Sequence, residues 1–311
     1  MKKTKNLTGP RVFWRLLKAS LMRLQKNDPM RMAGATAFFT CFALPPIILL
    51  LFQLFSIFFS RKLVGTELGE VLSSTLGAQG SSQLRETAKS FRRMAQNWYM
   101  AALGLVFLVF VATTLFKVIK NTLNDIWDVR LGKSSFLYDL KLRGRSLMVI
   151  IAAGVLFVAS ATIDTVRVVA GEYIAGISKP GGVIFSGAFS RVAGVVVVTL
   201  WFVVLFRYLA NARPTWRVAF AGGLLTGILF SIGKAIISSV VINSNAGAVY
   251  GAGGAIALIL LFVFYSSFIL YFGACFIKEY SIHIGQHLKP SRKAYQYEVK
   301  QVHEKEKRTE G

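Results

Sequence analysis

Four charged residues lie deep inside otherwise apolar runs of this chain: Asp164, Arg167, Arg191 and Lys234. An ionised side chain in hydrocarbon is costly, and where one occurs it usually faces a bundle interior or a water-filled cavity. Asp164 and Arg167 are three residues apart, so on a helix they share a face and can pair. Arg191 and Lys234 then remain as surplus positive charge, which suits an anionic group such as a phosphate or a carboxylate. A second reading stays open, in which the charges pair structurally or snorkel to the nearer interface. Snorkelling fits Arg167. It is strained for Lys234, on the order of 12 Å from the end of its run at ~1.5 Å per helical residue.

Other candidate chemistry is thinner. His283 and His287 are four apart, as two metal ligands on a helix could be, yet no acidic or cysteine partner follows at ligand spacing. Asp125 and Asp128 in "NTLNDIWDVR" could form a carboxylate pair, but a charged turn capping the preceding helix, near Lys120 and Arg130, is the better reading. The chain has neither a phosphate-cradling glycine loop followed by Lys-Ser/Thr nor a nucleophile elbow. No cofactor or metal is implied, and no catalytic constellation is visible.

The elements that must position these charges are membrane helices. The 311 residues are 54% hydrophobic and only 16% charged, too apolar for a soluble domain of this length. A helix needs roughly 20 apolar residues to cross ~30 Å of hydrocarbon. Six runs qualify, at 33–59, 98–120, 146–170, 183–209, 218–242 and 253–277. They are continuous and far longer than the alternating segments of about 10 residues that barrel strands show. The expected fold is therefore an all-α integral membrane protein with six transmembrane helices. The first run follows residues 1–32, a long basic segment, so it reads as a retained anchor rather than a cleaved signal. Cys41 and Cys275 both fall inside runs and read as small packing residues, not as a disulfide framework.

The net charge of +23 has a pattern. Lys and Arg crowd the segment before the first run, the second and fourth connections, and the tail. The third connection has only Lys179, and the fifth, "NSNAGAVYGAG", has none. The positive-inside rule then puts both termini in the cytoplasm, with six spans. The connection 60–97 departs from this with six basic residues, and its three glutamates do not offset them because acidic residues weigh little in the rule. This distribution speaks for anionic lipids at the cytoplasmic surface as partners, and against specific nucleic-acid binding.

Three domains of organisation follow. Residues 1–32 form a cytoplasmic basic segment in which Val12, Leu16, Leu17, Leu21 and Leu24 recur at helical spacing between basic residues, as in an amphipathic helix lying on a membrane surface. Residues 33–277 form the membrane domain, with an outer connection 60–97 that reads as two helical segments around "GAQGSS". Residues 278–311 form a basic cytoplasmic tail, disordered toward its end.

Two local features shape the membrane domain. The fifth run carries Ala219, Gly223, Gly227, Ser231 and Ala235, each four residues apart, a ladder that lets another helix approach closely. It is also compatible with a homo-oligomer or with a sliding surface. The first run contains Pro45 and Pro46 near its midpoint. In a helix they leave the carbonyls of Cys41 and Phe42 without partners, so the run should be kinked or broken there, with the break facing protein or water.

Three blocks, "AGATAFFTCFALPPIILLL", "LNDIWDVR" and "YGAGGAIALILLFVFYSSFILYFGACFIKEY", resemble the YihY / virulence factor BrkB family of bacterial inner-membrane proteins. The matching positions are Ala37, Phe38, Leu44, Pro45, Pro46, Asn124, Trp127, Tyr250, Gly251, Gly254, Gly273, Ala274 and Glu279. The resemblance implies six spans and a plasma-membrane location. It carries no agreed catalytic set: some members bear a ribonuclease BN label, the BrkB name comes from serum resistance, and a related branch is linked to export of lipid or lipid-A precursors. The leading expectation is a transporter or flippase-like protein for an anionic lipid or amphipathic solute of the cell envelope. The alternatives are a non-transporting membrane scaffold and, remotely, a ribonuclease.

Overall fold

The computed structural model describes residues 9–58, 114–132, 179–243, 246–291 and 294–297, with isolated positions elsewhere. Over 45–58, 179–188, 240–243 and 246–256 it describes the backbone alone. Helix α1 spans Pro10–Lys26 and α2 spans Pro29–Phe58, α3 spans Lys179–Tyr208, α4 Trp216–Asn243 and α5 Ala246–His283. Residues 114–126 are also helical.

Both N-terminal helices start on proline, whose missing N–H does no harm in a first turn. Between them Asn27 N–H closes α1 on the Leu24 carbonyl, and Asp28 takes φ 50°, a left-handed conformation that Asp tolerates better than most residues. That turn sends the chain directly into α2.

The protein is mostly helical, and among the described residues three helical windows are long and apolar enough to cross a membrane: Arg191–Tyr208, Trp216–Ile237 and Ala257–His283. Of the expected third run, only 152, 155 and 156 are described, all helical. The described positions of the outer connection, 69, 81, 82, 85, 86 and 89, are helical too. Two expectations need correction. The fold is not purely helical, because β1 (Val129–Leu131) pairs antiparallel with β4 (Ala294–Gln296), and β2 (Ala212–Arg213) with β3 (Lys289–Pro290). The tail after α5 is thus tied back to two connections through residue 296. The glycine-rich fifth connection is also shorter than read, since α4 continues to Asn243 and α5 begins at Ala246.

Helix α2 is assigned helical without interruption through Pro45 and Pro46, so the expected break into two helices is absent from the described backbone. Each proline removes one ladder bond, while the 30-residue helix keeps its bonds on both sides of the pair. Five and nine residues before Pro45, the Thr40 and Thr36 hydroxyls donate to the carbonyls of Thr36 and Met32, at 2.7 and 3.0 Å. Such back-bonding is a common way to bend a helix without ending it.

The largest core sits at one end of the bundle, beside the two short ladders, and this end is called the ladder end below. Trp127, Leu123, Ile126, Phe206, Tyr271, Ile277 and Leu24 are fully buried there, joining α1, the segment 114–127, α3 and α5. A second cluster of Ala37, Ile259, Phe262 and Val263 packs α2 on α5.

Candidate functional site

The small residues of α4 serve two neighbours. A Cβ on Gly223 would fall 2.4 Å from Val203 Cγ2, and one on Gly227 would fall 2.4 Å from Thr199 Oγ1 and 3.1 Å from its Cα. Both glycines therefore seat the backbone of α4 directly on α3, the close approach that small residues permit. On the adjoining side, a Cβ on Gly222 would meet Ile277 of α5 at 2.2 Å, while one on Gly273 of α5 would meet Thr226 Oγ1 at 1.9 Å. Of the remaining ladder positions, Ala219 is fully buried, Ser231 donates to the Gly227 carbonyl at 2.8 Å, and Ala235 is exposed. The tight contact thus covers the lower part of the ladder only.

These contacts fix a register. As α4 steps forward from Gly223 to Gly227, α3 steps back from Val203 to Thr199, which makes the pair antiparallel. Seven residues beyond Gly227 lies Lys234, and eight residues back from Thr199 lies Arg191. At ~1.5 Å per residue the two cations sit within about 2 Å of one level along the helix pair. Lys234 is half-buried and Arg191 exposed, and among the described residues neither forms an ion pair. Asp164 and Arg167, the other two members expected in this cluster, lie outside the described residues.

At the ladder end the charges behave differently. Arg23 of α1 donates from Nε to Glu279 Oε1 at 2.5 Å and from Nη1 to Asp128 Oδ2 at 3.2 Å. Lys278 Nζ reaches the same Asp128 oxygen at 3.1 Å and donates to the Trp127 carbonyl at 2.8 Å. Two cations and two carboxylates thus tie α1, the turn after residue 126 and the end of α5 into one neutral cluster. Burial disfavours the Arg23 charge, but the Glu279 hydrogen bond and the Glu279 and Asp128 charges outweigh it and raise its pKa above the ordinary value.

The backbone supports this clamp. Asp128 has φ 55° and its carbonyl accepts from Tyr297 N–H at 3.0 Å, just beyond β4. Trp127 Nε1 donates to the Ala274 carbonyl at 2.9 Å, and Asn124 Oδ1 accepts from Asn211 N–H at 2.9 Å. Asn124, Trp127, Gly273, Ala274 and Glu279, which carried the resemblance above, therefore meet at the ladder end.

Sequence reasoning missed this cluster. It read Asp128 as a local cap beside Lys120 and Arg130, whereas the carboxylate bridges to residues 105 positions earlier and 150 later in the chain. The available signal was that "LNDIWDVR" and "FIKEY" both carry the resemblance and each contains charges at the edge of an apolar run. Asp125, the other half of the candidate carboxylate pair, is exposed, while Asp128 Oδ2 is engaged by two cations. Among the described residues no group of three or more His, Cys, Asp or Glu is arranged to hold a metal ion. A shallow cavity of about 610 Å³ lies between Thr215 and the turn 285–290, away from Lys234 and Arg191.

Comparison with known proteins gives a consistent picture. A family model described as virulence factor BrkB matches residues 20–298. A UPF0761 membrane protein of Teredinibacter turnerae is 24% identical over 91% of the chain and 64% of its own length. Proteins of the same name from Saccharophagus degradans and Chromohalobacter salexigens are 28% and 25% identical, over 79% and 85% of this chain and 55% and 62% of their own. The chain thus spans less than two thirds of the length of these curated relatives. No solved structure matches.

Proposed function

The chain belongs to the virulence factor BrkB family of membrane proteins, and from that premise we propose that it moves an anionic lipid or amphipathic solute across the membrane. One observation carries the reading: Lys234 and Arg191 share a level of the α3–α4 pair, inside a helix pair apolar enough to span, with no acidic partner among the described residues. Positive charge retained at such a cost suits a site for a phosphate or carboxylate headgroup. On the six-span topology with both termini in the cytoplasm of a bacterial inner membrane, these cations lie in the outer half of the bilayer. Asp164 and Arg167, outside the described residues, are proposed as further members of the cluster from the third span, and α2 is proposed to bend at Pro45–Pro46 with its freed carbonyls toward the same interior. The activity is transport rather than catalysis, so purified protein is expected to leave RNA intact. Robust cleavage lost on Asp125→Ala would overturn that.

A static scaffold is the second reading. The observation in its favour is the tight seating of Gly223 and Gly227 on α3, which resists sliding of α4. The two readings separate in vesicles carrying a fluorescent anionic phospholipid. The wild type is expected to transfer the lipid between leaflets, and Lys234→Leu/Arg191→Leu to slow transfer by about tenfold or more, the equivalent of ~1.4 kcal/mol on the barrier, at unchanged protein level. Transfer at the wild-type rate by the double variant, or none by the wild type, would refute the transport site.

A further inference from the structure

Helix α1 carries a face that the bundle does not use. Its roll is set by contacts on one side: Ser20 and Leu24 are fully buried, Phe13 packs edge-on against Phe276 with centroids 6.2 Å apart, and Arg23 is held by Glu279 and Asp128. At 100° per residue the opposite face is then determined. It presents exposed Arg11, Arg15, Lys18 and Lys26 around Met22, with Trp14 at 71% exposure and Leu21 at 46% along one flank. None of these four cations forms an ion pair among the described residues. From Met1 to Asn27 the chain contains no acidic residue at all.

Two further observations say what covers this face. The linker to the 30-residue α2 is only Asn27 and Asp28, so α1 ends where that long apolar helix begins. At the same ladder end, half-exposed Trp216 opens α4 beneath the Arg207 guanidinium, 4.4 Å from the ring centroid. Exposed tryptophan beside arginine at a helix end is the signature of a membrane–water interface. Trp14 is exposed on the neighbouring α1, whose Phe13 packs on Phe276 of α5.

We infer that the free face of α1 lies in the headgroup layer, with Trp14 and Leu21 inserted and Arg11, Arg15, Lys18 and Lys26 recruiting anionic phospholipid. An apolar strip beside a basic strip is the arrangement by which a helix lies in the plane of a bilayer. The inference is independent of whether any solute is moved.

The test uses the full chain in vesicles of phosphatidylcholine and phosphatidylglycerol in which one lipid or the other is brominated. The signal of Trp14 is the difference between wild type and Trp14→Phe. Brominated phosphatidylglycerol is expected to quench it at least about twofold more than brominated phosphatidylcholine at equal mole fraction, given favourable headgroup attraction for each basic residue. Replacing the four exposed cations with Gln is expected to bring the ratio to one, with circular dichroism and thermal unfolding unchanged. Absence of quenching by either lipid would overturn the inference, since another part of the chain or a protein partner would then cover Trp14. Equal quenching by both lipids would overturn the anionic recognition, and quenching that falls as the protein-to-lipid ratio rises would assign the face to a second copy.

Discussion

Two groups of charges in this protein have opposite surroundings. At the ladder end, Arg23 and Lys278 are matched by Asp128 and Glu279 within 2.5–3.2 Å, with the cation side chains 23% and 10% exposed. Farther along the α3–α4 pair, Lys234 and Arg191 share a level and have no ion-pair partner among the described residues. Pairing lets desolvated charges hold elements together, and its loss strands the remaining partner. Lys234 and Arg191 tie no two elements together by an ion pair among the described residues, so their use is sought in what they meet.

The comparison can be broken at several points. The largest loss is expected from Asp128→Ala, which strands Lys278 and leaves Arg23 with Glu279 alone. Destabilisation of roughly 2–4 kcal/mol follows from removing one member of a partly buried ion network, measured as a lowered midpoint of thermal unfolding in detergent. Trp127→Phe removes the donor to Ala274 and trims the fully buried indole to a phenyl ring, so a loss of about 1–3 kcal/mol is expected in the same assay. Lys234→Leu should move the other way, with stability unchanged or higher by up to about 1 kcal/mol, because it relieves a desolvated charge. A loss as large as that of Asp128→Ala would mean that Lys234 is part of a structural pair. Arg31→Gln removes the 3.6 Å contact with Asp28, whose partners are 78% and 73% exposed, and should cost under about 0.5 kcal/mol.

Much of this arrangement is legible in the amino-acid order, and the remainder has a physical reason for being hidden. The apolar runs mark α3 and α4 to within a few residues, Lys179–Tyr208 against the run 183–209 and Trp216–Asn243 against 218–242, since hydropathy acts residue by residue, while α5 extends six or seven residues past its run at each end. The four-residue spacing of Gly223 and Gly227 is local too, and both glycines do abut another helix. The clamp could not be read in the same way, because it joins residues 23, 128, 278 and 279, and no periodicity links them. Strands of two or three residues, such as Ala212–Arg213 with Lys289–Pro290, are too short to show alternation. The prolines left a kink and a break open: Pro45 and Pro46 remove ladder bonds wherever they occur, but whether a helix then ends or carries on depends on the turns around them, and α2 carries on.

The central claim is that the paired charges hold the molecule together while the unpaired ones act on a ligand. The most direct measurement follows thermal unfolding and inter-leaflet transfer of a fluorescent anionic phospholipid on the same vesicle preparations of wild type, Asp128→Ala and Lys234→Leu/Arg191→Leu. The expected result is a dissociation: Asp128→Ala unfolds at lower temperature, whereas the double variant unfolds like wild type and has lost transfer. A double variant that transfers lipid at the wild-type rate, or loses transfer only in proportion to lost stability, would contradict the account.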